Sequence, residues 1–113
     1  MADLAWLTIV EAAKLIRDRK LSPVEYVEAL YARSDRYDDR FNSYVRVTRD
    51  IAMREAKRAE QEIARGAYRG PMHGVPYGLK DIIDYAGVPT TAHSKILRDN
   101  IPDRDATVTA RLK

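Results

Sequence analysis

The side chain in this sequence best placed for chemistry is a lysine set among apolar residues. The stretch Tyr77-Gly78-Leu79-Lys80-Asp81-Ile82-Ile83-Asp84 reads as a strand. Side chains alternate along a strand, so Gly78, Lys80 and Ile82 share one face while Leu79 and Asp81 share the other. Glycine leaves space beside the lysine, and isoleucine supplies an apolar wall. A lysine held there is desolvated, which disfavours its charged form and suits it to accept a proton near neutral pH. The same spacing also describes a lysine whose stem packs while its ammonium reaches solvent, and on spacing alone that reading is the commoner.

Partners for such a base are few. The serines are Ser22, Ser34, Ser43 and Ser94. Ser22 reads as a helix cap, Ser34 as part of a helix face and Ser43 as the start of a strand; Ser94 is the nearest to Lys80 in sequence. Cysteine is absent, so neither a disulfide framework nor a thiolate metal site is available. His73 and His93 are far apart in sequence with no H-x-x-x-H spacing, so no metal site is expected. Asp81 and Asp84 could form a carboxylate pair for acid–base work. The glycines follow neither G-x-G-x-x-G nor a P-loop, so no phosphate cradle and no cofactor are implied. Trp6 and Tyr85 read as packing residues.

The elements that must position these residues follow from capping and periodicity. A helical region spans about 8–40. Thr8 and Glu11 form a capping box, followed by Ile9, Ala12, Ala13 and Ile16 at helical spacing. Ser22, Pro23 and Glu25 restart a helix whose buried face is predicted to carry Val24, Val27, Leu30, Tyr31 and Ser34. Residues 43–47, in the segment Phe41-Asn42-Ser43-Tyr44-Val45-Arg46-Val47, read as a strand. A helix over about 50–65 turns Ala52, Ala56, Ala59 and Ile63 inward, with Gly66 at its C-terminal cap. A Gly/Pro-punctuated loop and the lysine strand occupy about 66–84. A last helix is expected from about 105, capped by Asp105. It would end in barely two turns without a C-cap, and so reads as truncated.

Composition narrows the classes. At 113 residues the chain is the size of one small domain, with 45% hydrophobic and 33% charged residues and no bias towards disorder. The formal charge is only +3. Arg54, Lys57, Arg58 and Arg65 alternate with Glu55, Glu60 and Glu62 as on a solvated helix face, which argues against a nucleic-acid groove. No apolar run is long enough to span a membrane, and charges within the first twenty residues exclude the apolar core of a secretory signal. A cytoplasmic location is the expectation.

The stretch Gly70-Pro71-Met72-His73-Gly74-Val75-Pro76-Tyr77-Gly78-Leu79-Lys80-Asp81-Ile82-Ile83-Asp84 resembles the G-P-L-H-G-I-P-x-x-x-K-D-x-x-D stretch of the amidase signature family. Ala86-Gly87-Val88-Pro89-Thr90-Thr91-Ala92 and Asp105-Ala106-Thr107-Val108-Thr109-Ala110-Arg111-Leu112 continue the likeness. So do the Ser22-Pro23-Val24-Glu25 helix start and the Phe41–Val45 segment, so that it covers almost the whole chain. The resemblance implies the N-terminal portion of an α/β fold in which helices surround a mixed β-sheet. It implies that Lys80 is the base of a Ser–Ser–Lys triad acting on an amide or ester, that Asp81 and Asp84 brace the loop and the lysine, and that His73 is structural. The two serines of that triad lie in a Gly/Ser-rich segment that these residues do not contain, and none of the four serines present has a G-S-S-G-G-S setting. The chain alone is therefore expected to be an inactive fragment of an amide hydrolase or of one component of an amidotransferase, completed by a serine-bearing segment. The other reading is a stand-alone product that acts as an oligomerising binding or assembly module, or that has an activity unrelated to the triad. In either case a homo-oligomer or a complementary chain is expected, because a lone lysine strand would expose its edge and apolar face. Two positions depart from the family pattern: His93 stands where glycine is usual, and Glu60 where aspartate is.

Overall fold

The computed structural model describes residues 3–113 and divides into two compact units, Met1–Pro76 and Tyr77–Lys113. The first unit is helical. After a short 3₁₀ turn, Leu4–Trp6, come α1 (Ile9–Arg17), α2 (Pro23–Phe41) and α3 (Arg49–Ala64); the second unit contains α4 (Thr107–Leu112).

Each start is chemically specified. At α1 the Thr8 side chain accepts the Glu11 N–H while the Glu11 carboxylate accepts the Thr8 N–H, closing the predicted capping box. At α2 the Ser22 hydroxyl oxygen accepts the N–H groups of Val24 and Glu25, and Pro23 occupies the first turn, where its missing N–H costs nothing. The same hydroxyl donates to the Glu60 carboxylate, tying the start of α2 to α3.

Two helices end in a Schellman motif, with Arg19 and Gly66 in the left-handed region. After α3, Gly66 N–H bonds Ile63 C=O and Ala67 N–H bonds Glu62 C=O. After α1, Arg19 N–H bonds Ile16 C=O and Lys20 N–H bonds Leu15 C=O. Gly66 suits this geometry, whereas Arg19, at φ 56°, crowds its Cβ against the backbone. Arg19→Gly is therefore expected to raise stability by about 0.5–1 kcal/mol, measured as a shift in the urea midpoint at unchanged m-value.

The core of this unit joins Ala12 and Ile16 of α1, Leu21, Tyr26 of α2, Ile63 of α3 and Val75 of the following loop. Leu4, Leu7, Leu15, Leu30 and Tyr68 pack against it. Of the predicted inner face of α3, Ala56, Ala59 and Ile63 are buried and Ala52 is half-buried. On α2, Val27 is buried as expected, while Val24, Leu30, Tyr31 and Ser34 are half-buried and Tyr26 takes a core position. Of the charges expected on a solvated face of α3, Arg54, Lys57, Arg58, Glu60 and Arg65 are exposed and Glu55 is half-buried, whereas Glu62, paired with Arg58 at 2.8 Å, has a side chain only 16% exposed. Among the described residues, no helix is long and apolar enough to cross a membrane.

The expected α/β architecture is not found. No strand forms among the described residues, and the only pairing between extended positions is an isolated Tyr85–Val88 bridge. Phe41 belongs to the last turn of α2, Asn42 caps that helix in the left-handed conformation, and residues 43–47 are exposed coil. The local reason is Asp38: its C=O accepts Asn42 N–H and its carboxylate accepts Ser43 N–H, which carries the helix past the predicted boundary. The Tyr77–Asp84 segment, expected as a strand, turns instead, with Ile83 N–H bonded to Lys80 C=O at 3.0 Å. A β-prone sequence becomes a strand only where a neighbour offers a ladder, and none of the described residues does so.

Candidate functional site

The lysine segment lies in the second unit, which consists of loops closed by hydrogen bonds and the short helix α4. Gly87 N–H reaches Pro102 C=O and Thr90 N–H reaches Asn100 C=O, each at 2.9 Å, and the Asn100 side-chain amide donates to Thr90 C=O at 2.8 Å. These bonds fold residues 87–102 back on themselves without a regular ladder.

Lys80 is exposed. The enclosure that strand alternation predicted for it is absent. Ile82, the expected apolar wall, is 62% exposed, and a Cβ built at Gly78 would meet nothing within 4 Å.

Its neighbour Asp81 is engaged by a turn. The carboxylate accepts Thr91 N–H at 2.8 Å, the Thr91 hydroxyl, and His93 N–H at 3.3 Å; Asp81 C=O accepts Ala92 N–H at 2.8 Å. These donors hold the Asp81 carboxyl below the usual carboxylate range, the Thr91 hydroxyl and N–H contributing most. Such a group stabilises the fold above its unfolded pKa of about 4, and that contribution is lost as pH falls through its lower folded value. Asp81→Asn is accordingly expected to weaken amide-exchange protection at Thr91 and His93 near neutral pH and to flatten its loss on acidification. Unchanged protection at both amides would contradict the role assigned to the carboxylate.

The turn that Asp81 anchors contains two residues in the left-handed region, Ala92 (φ 47°) and His93 (φ 58°). His93 is one of the positions set apart in the sequence, and its backbone adopts the conformation that glycine takes without strain. Ser94 is half-buried, and its hydroxyl oxygen accepts Ile96 N–H at 3.3 Å. Asp84 contributes through its backbone: its C=O accepts Ala106 N–H at 3.0 Å and the hydroxyl of Thr109, which is fully buried, at 2.8 Å. Asp105 does not cap the last helix as expected. Ala106 is the N-cap residue of α4, while the Asp105 carboxylate accepts Ala86 N–H at 2.8 Å and pairs with Lys113 at 2.7 Å. Thr91 and Thr109 went unread as anchors; the sequence carries no signal for Thr109, since an isolated threonine on a short helix looks solvated.

His73 sits in the first unit and is buried. It bonds Glu62 and the Arg69 backbone and stacks on Tyr68 at 6.0 Å between ring centroids, which fits the structural role expected of it. Among the described residues, no group of three or more His, Cys, Asp or Glu side chains could hold a metal ion.

Comparison with known proteins places these residues in context. The profile of the family described as Amidase matches residues 25–113. A glutamyl-tRNA(Gln) amidotransferase component from Streptomyces coelicolor is 42% identical over 113 residues, which is 100% of this chain and 23% of that protein. AmiD of Mycobacterium tuberculosis, named as a candidate amidase, is 43% identical over 107 residues, 95% of this chain and 22% of its own. The glutamyl-tRNA(Gln) amidotransferase component of the same name from Carboxydothermus hydrogenoformans is 38% identical over 111 residues, 98% of this chain and 23% of that protein. The chain thus spans less than a quarter of the length of the relatives it matches.

Proposed function

This chain belongs to the amidase family, and on that premise we propose that it supplies the lysine-bearing segment of an amide C–N hydrolase, with Lys80 as the catalytic base. The observation that carries the reading is the Lys80-Asp81 motif, which falls inside the family match over residues 25–113. In the proposed reaction a serine attacks the amide carbonyl, and a second serine relays its proton to neutral Lys80. An acyl-enzyme forms and water releases the acid, with backbone N–H groups stabilising the tetrahedral species. Lys80 is exposed in this chain, and under the proposal the serine-bearing segment packs over it.

The second unit supports such an association. All the buried apolar side chains among the described residues lie in the first unit, while Ile82, Ile96, Ile101 and Val108 of the second are 62%, 94%, 58% and 47% exposed. Apolar side chains left this exposed are available to a partner surface. The relatives make an amidase and one component of an amidotransferase the two forms that the complete protein takes under this proposal, and a cysteine-free chain suits a reducing, cytoplasmic setting.

The test is hydrolysis of a simple aliphatic amide and of an aryl anilide by the 113-residue chain, its intact mass checked beforehand. No turnover above buffer is expected. Turnover by the intact chain would overturn the assignment of an external serine and make Ser94 the next residue to replace.

A further inference from the structure

His73 is held from both sides of its ring. Its Nδ1 accepts the Arg69 backbone N–H at 3.0 Å, so the ring proton lies on Nε2, which donates to the Glu62 carboxylate at 3.1 Å. Three cationic or potentially cationic groups thus face one carboxylate: Arg58 at 2.8 Å, Arg69 at 2.9 Å and the imidazole. The side chain of His73 is only 4% exposed.

We propose that His73 is an acid-sensitive clasp, which in its neutral form holds the Arg69 amide and on protonation releases it, while the Arg69 guanidinium stays on Glu62. The inference does not depend on the amide-hydrolase reading. Protonation places a proton from water on Nδ1, the atom that now accepts the Arg69 N–H, so two donors face each other and that bond is lost. Glu62 gives the new cation little return, because its charge is already shared with the two arginines. The groups facing the ring are Glu62 and Arg58 from α3 and Arg69 and Tyr68 from the loop. Burial pushes the imidazole below its ordinary pKa, and Arg69 adds to this against the opposing pull of Glu62. By linkage, a depressed histidine pKa contributes stability that is complete above the unfolded value of about 6.5 and is lost as pH falls towards the folded value. Beyond His73 the loop has separate anchors. Val75 lies in the core and Gly74 packs on Pro23, and before His73, Tyr68 packs on the core, so acid frees the Arg69 amide without unfolding the unit.

The Arg69 amide is the reporter. Its hydrogen-exchange protection factor, corrected for intrinsic pH dependence, is to be measured by NMR on the 113-residue chain at about pH 7.5 and at successively lower pH. Protection is expected to fall by roughly 3- to 10-fold as His73 titrates, the range for loss of one hydrogen bond, while α3 amides keep theirs. His73→Gln offers an acceptor and a donor that do not titrate, and should hold Arg69 protected throughout. Protection that is unchanged across the His73 titration, or an acid response that persists in His73→Gln, would overturn the proposal. Nitrogen-15 shifts of the wild-type imidazole give a second reading: a proton found on Nδ1 rather than Nε2 at neutral pH would also refute it.

Discussion

In an assembly completed with the serine-bearing segment, Lys80→Ala is expected to lower kcat for amide hydrolysis by about 10²- to 10⁴-fold, the usual contribution of a general base. Substrate binding does not need the lysine, so KM should change little and kcat/KM should fall with kcat. Lys80→Arg should be as inactive as Lys80→Ala, because a guanidinium keeps its charge but cannot give up its proton at accessible pH. That variant separates a base from a merely electrostatic group. If Lys80→Arg retained near wild-type kcat, Lys80 would be a charge and not a base. The effect should be confined to catalysis, since Lys80 is exposed and can be truncated with little consequence for folding.

The second large effect is on stability, at Gly74. Its φ of 84° lies in the left-handed region, and an added Cβ would stand 2.8 Å from Pro23 Cγ, 3.2 Å from Pro23 Cβ and 3.4 Å from Ile16 Cγ2. Pro23 is a rigid ring at the first turn of α2 and Ile16 is fully buried, so neither side can yield cheaply. Backbone strain and overpacking together make Gly74→Ala cost about 2–4 kcal/mol. For a unit of this size, that lowers Tm by roughly 10 °C or more, measurable by calorimetry. Gly70 provides the control: it has φ 127° but nothing within 4 Å of a built Cβ, so Gly70→Ala should carry the strain without the clash. Equal losses at the two positions would remove packing from the explanation.

Local chemistry made the helices of the first unit legible. The Thr8–Glu11 box, the Ser22-Pro23 start and Gly66 are signals written in adjacent residues, and each forms as read. The predicted strands did not form because strand pairing is a non-local property. Tyr44, Val45 and Val47 are β-prone yet exposed, with no ladder alongside. The lysine itself was found by its motif, and its apolar setting was inferred from an alternation that the turn at Lys80–Ile83 removes. Asp105 failed as a cap for a similar reason. Its carboxylate is used 19 residues away by Ala86 N–H, a choice that no local window reveals. Thr109 was invisible because its burial depends on the Asp84 carbonyl reaching it from a distant loop.

The most direct test of the central claim is a chimera. This chain would replace the matching region of a relative whose own amide hydrolysis is first established by assay, AmiD being the first choice at 43% identity over 107 residues. The chimera, verified as folded by circular dichroism and sedimentation, is assayed on the amide that the relative cleaves. Hydrolysis that disappears in its Lys80→Ala form is the predicted result. A folded chimera that cleaves nothing, or one whose activity survives Lys80→Ala, would contradict the assignment of Lys80 as the base of an amide hydrolase.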